Sequence, residues 1–141
     1  MSRTDTKTIL KMIEKANEVR RYSYAPYSGF AVGAALLCSD GTIYTGVNVE
    51  NSSYPVGICA ERTAFAKAIS ENRKSFKAIA IVGERESVSA PSSECFPCGI
   101  CRQFMSEFCD KDFEIITARG FDKFSVHTLG ELLPFSFSLD E

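Results

Sequence analysis

Two short cysteine motifs, far apart in the chain, limit its possible folds more than any other feature. Cys59-Ala60-Glu61 stands mid-chain, and Pro97-Cys98-Gly99-Ile100-Cys101 lies in the second half. Three thiolates gathered from these segments can hold one zinc ion and leave its fourth, tetrahedral position open. Such a fold must bring two distant stretches together with a carboxylate beside them. Both motifs open stretches that read as helices. Helix N-termini offer free N–H groups and a positive dipole end, which stabilise thiolates.

The surrounding pattern supplies the scaffold. Ile9, Leu10, Ile13, Ala16 and Val19 recur at helical spacing after Thr4, Asp5 and Thr6, so residues 6–22 read as an amphipathic helix. Residues 24–29 read as a loop, 30–38 as a buried strand, 39–41 as a hairpin turn and 42–49 as the return strand. Residues 51–57 are rich in turn formers. A helix is expected over 59–71, a strand over 76–82, and a polar loop over 84–96. Then come a helix over 99–109, a strand over 113–118 and a closing helix over 128–133. Strands alternating with helices imply a layered α/β domain with a mixed sheet. At 141 residues the whole chain, 1–141, reads as a single domain.

Charge and cysteine content narrow the partners. The formal charge is −2, and the basic residues are scattered, with no run longer than the Arg20-Arg21 pair. A nucleic-acid surface needs a clustered basic footprint, so a small free substrate is expected and no nucleic acid. No segment is long and apolar enough to span a membrane, and Met1-Ser2-Arg3-Thr4-Asp5 lacks the apolar core of a secretory signal. A cytoplasmic location follows as the expectation. There thiols stay reduced, and the six cysteines read as ligands and buried thiols rather than disulfides.

The chemistry is hydrolytic. Coordinated water falls in pKa from about 15.7 toward about 7. Glu61, two residues after the first ligand, is placed to collect its proton and pass it to the substrate. Attack on an amino-bearing aromatic carbon followed by loss of ammonia is a deamination. Arg62, next in sequence, is a candidate hydrogen-bond donor to a ligating sulfur, withdrawing charge from the trithiolate; a solvated helix charge is its plain alternative.

The motifs match the signature of the zinc-dependent deaminases, a His or Cys ligand before the glutamate and Pro-Cys-x-x-Cys after it. More closely, the chain resembles the small cytidine deaminases over residues 24–137. The matching blocks are 25–36 (APYSGFAVGAAL), 46–54 (GVNVENSSY), 59–64 (CAERTA) and 97–103 (PCGICRQ). The resemblance implies a three-layer α/β/α domain with a mixed five-stranded sheet. It implies one zinc per chain on Cys59, Cys98 and Cys101, and a role in pyrimidine salvage. Asn48 and Glu50 would hold the sugar, and Phe30 would pack on the base. The backbone at Ala60, with Glu61, would read the base's polar edge. It further implies a homotetramer with sites at subunit interfaces, where Tyr54 and Phe137 reach a neighbour's site. Phe135 is the competing aromatic in the same tail.

Plainer readings stand beside these. Cys95 is either an idle loop thiol or the fourth ligand of a closed structural zinc site, and Phe96 occupies a position where the family more often has a small residue. Cys38 and Cys109 read as small core residues. His127, the only histidine, reads as a cap or a surface group. Without the resemblance, Asn48, Asn51 and Glu50 would pass for turn and strand-end residues. The competing functions are deamination of another aminopyrimidine, editing of RNA or DNA, and a zinc-stabilised interaction module without catalysis.

Overall fold

A computed structural model describes residues 3–139. Helix α1 (Thr6–Val19) starts where Asp5 accepts a hydrogen bond from Thr8 N at 2.8 Å. It buries Ile9, Met12, Ile13 and Ala16 and ends in a 3₁₀ turn over Arg20–Tyr22. Strand β1 (Phe30–Cys38) and strand β2 (Ile43–Val47) form a hairpin. Gly41 sits at its turn with φ +93°, a conformation open to glycine at little cost. Helix α2 (Ala60–Ser70) leads to strand β3 (Phe76–Arg85), and helix α3 (Gly99–Phe108) leads to strand β4 (Glu114–Ala118). Strand β5 (Phe124–Thr128) and helix α4 (Leu129–Leu132) close the chain, the helix capped by a reciprocal Thr128–Glu131 box.

The five strands lie in the order β2-β1-β3-β4-β5. Only β3 and β4 pair in parallel, joined by a crossover that carries α3. Helix α1 covers one face through a core of Ile13, Ala35, Ala80, Val82 and Ile116. Helices α2 and α3 cover the other, around Leu36, Phe65, Ile79, Met105 and Ile115. Phe65 is fully buried, with Phe76, Phe104 and Phe113 ring centroids 4.9, 5.8 and 6.1 Å away. The three layers and the mixed five-stranded sheet expected from the resemblance are both present.

Two glycines set how closely helix and sheet meet. A Cβ on Gly33 would lie 1.9 Å from Ala16 O, so α1 rests directly on β1. A Cβ on Gly46 would lie 2.5 Å from both Ala60 O and Ala64 N, so the first turn of α2 rests on β2. The second contact delivers Cys59 and Glu61 to the end of the sheet.

The structure departs from the pattern reading in three places. Strand β2 stops at Val47, because Val49 instead bridges Tyr24 and Ile58. Strand β3 continues to Arg85, paired with Phe30 at the start of β1. Strand β5 was not expected from its residues. His127 lies inside it, opposite Ile115 and with its ring 5.3 Å from that of Phe96, so it is neither a cap nor a free surface group. Among the described residues no helix is long and apolar enough to cross a membrane.

Candidate active site and metal centre

The start of β1 and the ends of β2 and β3 meet at one end of the sheet, as their register requires. Helices α2 and α3 point their N-termini to the same end. Cys59 is the N-cap of α2 and Cys98 the N-cap of α3, with Cys101 inside the first turn of α3. The three Sγ atoms lie within 4.8 Å of one another, and Cys59 and Cys98 are 3.8 Å apart.

That donor set fits a zinc ion. Hydrogen bonding from Cys101, then from Arg62 and Cys98, lowers the Cys59 thiol to about 5 against the opposing effect of burial. Cys101, which donates to Cys59, is pushed up by that bond and by burial. Three sulfurs this close cannot all ionise unless a cation lies among them, and a soft, divalent, tetrahedral ion meets that need. Cys95 stays outside the cluster found among the described residues. Burial pushes its thiol up to about 12, and its Sγ packs on Gly83, where a Cβ would come within 2.8 Å. A closed site of four cysteines is therefore not formed.

Arg62 reaches back over one helical turn, with Nη2 3.8 Å from Cys59 Sγ. Burial pulls its guanidinium down, but hydrogen bonds to the Cys59 and Cys101 sulfurs raise it overall. Glu61 is 4% exposed, and burial lifts its carboxyl to about 7. A carboxyl near neutrality can both take and return a proton.

A cavity of about 590 Å³ opens over these groups. Cys59, Ala60, Glu61, Arg62 and Cys98 are among its lining, together with Ser28, Asn48, Glu50 and Tyr54. Its size is that of a small-molecule site. Asn48 Oδ1 accepts from Val32 N at 2.9 Å and from Ser23 Oγ, while Nδ2 donates to Phe30 O at 2.9 Å. Glu50 Oε1 accepts from Tyr27 N at 3.0 Å and Ser28 N at 3.1 Å, and Oε2 accepts from Ser28 Oγ.

Phe30 and Phe137 are not among the described residues that line the cavity. The Phe30 ring lies over Gly83 beside Cys95, and Phe137 is tied to α3 through its carbonyl, which accepts from Gln103 Nε2 at 3.2 Å. Tyr54 borders its own chain's cavity while 74% exposed, its ring 5.8 Å from that of Tyr27. Tyr27, Ser28 and Phe96 line the cavity without having been singled out as site residues, and so does Cys95, weighed only as an idle thiol or a fourth metal ligand. Their signal was adjacency: two lie in the 25–36 block and two directly precede Pro97-Cys98.

The chain's likeness to known proteins agrees with this geometry. It is 45% identical over 131 residues to a cytidine deaminase of Sporosarcina psychrophila, covering 93% of this chain and 92% of that one. It is 47% identical over 134 residues to a probable cytidine deaminase of Dictyostelium discoideum, covering 93% of this chain and 84% of that one. The crystal structure of cytidine deaminase from Burkholderia pseudomallei superposes with a TM-score of 0.81 at 41% identity, over 90% of this chain and 97% of that chain. Residues 6–117 match the family model described as the cytidine and deoxycytidylate deaminase zinc-binding region, and the chain belongs to that family of zinc-dependent deaminases.

Proposed function

We propose that this chain hydrolyses cytidine and deoxycytidine to uridine and deoxyuridine with release of ammonia, as an enzyme of pyrimidine salvage in the cytoplasm. The observation that carries the reading is one cavity lined by Cys59 and Cys98 of the three-thiol cluster, by a buried carboxyl whose pKa is lifted to about 7 and by an Asn–Glu pair. Zinc, one per chain on Cys59, Cys98 and Cys101, would supply a water acidified enough to attack at neutral pH. Glu61 would carry the water's two protons in turn, the first to the ring nitrogen and the second, from the new hydroxyl on the attacked carbon, to the amino group, which leaves as ammonia while the carbon keeps the oxygen as a carbonyl. Arg62 draws charge from the Cys59 sulfur, which keeps the trithiolate from weakening the ion as a Lewis acid. The backbone at Ala60 faces the base's polar edge, Asn48 and Glu50 hold the sugar, and Phe30, whose ring in the single chain lies over Gly83 beside Cys95, turns toward the base to pack on it.

The assembly is a homotetramer in which Tyr54 and Phe137 complete a neighbour's site. Large exposed side chains support this: Tyr54 and Ile100, which line the cavity, are 74 and 67% exposed, and Phe137 and Leu139 in the C-terminal tail are 68 and 88% exposed. Apolar area of that kind on a single chain marks a surface that another chain covers.

The test is direct. Wild-type protein should consume cytidine, followed by loss of its absorbance band, and carry about one zinc per chain, as an open catalytic site requires. Glu61→Gln should keep the zinc and lose about 10²- to 10⁴-fold in turnover. Zinc in both proteins with no turnover by wild type would sink the nucleoside reading and point to another aminopyrimidine or to a structural module.

A further inference from the structure

The strap that leads into β1 runs beside the segment that follows β2. Tyr24 N donates to Asn48 O at 3.1 Å, and Glu50 N donates to Tyr24 O at 2.8 Å. Ser23 and Ser28 stand at the two ends of that strap. Each hydroxyl bonds one member of the Asn–Glu pair that lines the cavity: Ser23 to Asn48, Ser28 to Glu50.

Counting donors and acceptors shows what these bonds leave free. An amide oxygen has two lone pairs, and Asn48 Oδ1 spends both, on Val32 N and Ser23 Oγ. Its Nδ2 spends one of two hydrogens, on Phe30 O. Glu50 Oε1 spends both lone pairs on Tyr27 N and Ser28 N, and Oε2 spends one on Ser28 Oγ. What remains is one N–H on Asn48 and one lone pair on Glu50. A sugar hydroxyl is at once a donor and an acceptor, so one hydroxyl set between the two side chains can take up this whole remainder.

We propose that Ser23 and Ser28 are positioning residues that give the pair its polarity, Asn48 as donor and Glu50 as acceptor, toward one hydroxyl of the substrate. The inference rests on the nucleoside reading above. Ser28 has the greater part. Its Oγ also accepts from Phe30 N at 3.0 Å, and Phe30 O receives Asn48 Nδ2, so Phe30 joins the two halves through its backbone. Hydrogen bonding from Ser28 also holds the Glu50 carboxyl below the usual carboxylate range, which keeps it an acceptor.

The experiment is steady-state kinetics of wild type, Ser28→Ala, Ser28→Thr and Ser23→Ala on cytidine and on its 2′-, 3′- and 5′-deoxy analogues. Wild type should lose kcat/KM sharply on only one analogue. Ser28→Ala should raise KM for cytidine about tenfold, more than it lowers kcat, and Ser28→Thr should restore most of it. Ser23→Ala should raise KM about threefold, since it gives up a bond to a neutral group. On the analogue that lacks the gripped hydroxyl, all four proteins should converge. Equal losses on every substrate would mean that the serines serve packing alone, and unchanged cytidine kinetics would mean that they serve nothing at the site; either overturns the inference. No turnover of cytidine by wild type would instead bring down the nucleoside reading on which it stands.

Discussion

Arg62 shows how much one side chain depends on its place in a helix. Three residues after Cys59 it lies on the same helical face, one turn on, and its guanidinium meets the sulfur. Its Nε is buried without a hydrogen-bond partner, so a donor remains available there. Replacing Arg62 with Gln should therefore loosen zinc by about tenfold, the low end for a lost partner behind a ligand, read by competition with a chelator. Unchanged zinc retention would leave Arg62 a plain helix charge. The ligands and Glu61 were legible in the sequence because their spacing is itself the chemistry. The hydrogen bonds of Asn48 and Glu50 were not, because they depend on residues 23–28 folding alongside residues 48–50, and nothing local in either stretch announces that pairing.

At the scale of elements, the site depends on where α2 begins. Gly46 lets the first turn of α2 sit against β2, with no room for a methyl group between them. Gly46→Ala should cost about 1–3 kcal/mol in unfolding free energy, since both the neighbouring atoms are backbone and cannot swing aside. The same shift would move Cys59 and Glu61 with the helix, so activity should fall along with the melting temperature. Full activity in a destabilised protein would show that the site does not need this contact. Most elements were readable from periodicity: β1 spans the residues its apolar run gives, α1 and α3 start at the expected Thr6 and Gly99, and α2 starts one residue after the expected Cys59. Strand β5 was not, because Phe-Ser-Val-His-Thr is short and every residue in it is only half-buried. Its alternation is real: Phe124 and Val126 pack toward the α1 layer while His127 turns to Phe96, but so few residues carry it that pairing with β4 decides the matter.

For the molecule as a whole, the topology collects the catalytic groups at one end of the sheet but leaves the cavity there bordered by the exposed rings of Tyr27, Tyr54 and Phe96. Layer order follows from the alternation of strands and helices, and the five-stranded sheet from the family resemblance. The association of chains has no such local signal, because it depends on surfaces that meet only in the assembly. If Phe137 completes a neighbour's site, two damaged chains should repair each other. A Glu61→Gln chain retains an intact Phe137 and no proton shuttle. A Phe137→Ala chain retains Glu61 and lacks the aromatic it would lend. In a mixed oligomer, some sites would combine the good Glu61 of one chain with the good Phe137 of the other. Co-expressed Glu61→Gln and Phe137→Ala chains should thus show more activity per intact Glu61 than Phe137→Ala alone, in a species whose mass by light scattering is that of four chains. If Phe137 instead served its own chain's cavity, every site would carry one defect or the other, and mixing would only dilute the Phe137→Ala activity. Recovery would fall as mixed oligomers are replaced by unmixed ones, so the same two chains purified apart and combined without subunit exchange supply the control.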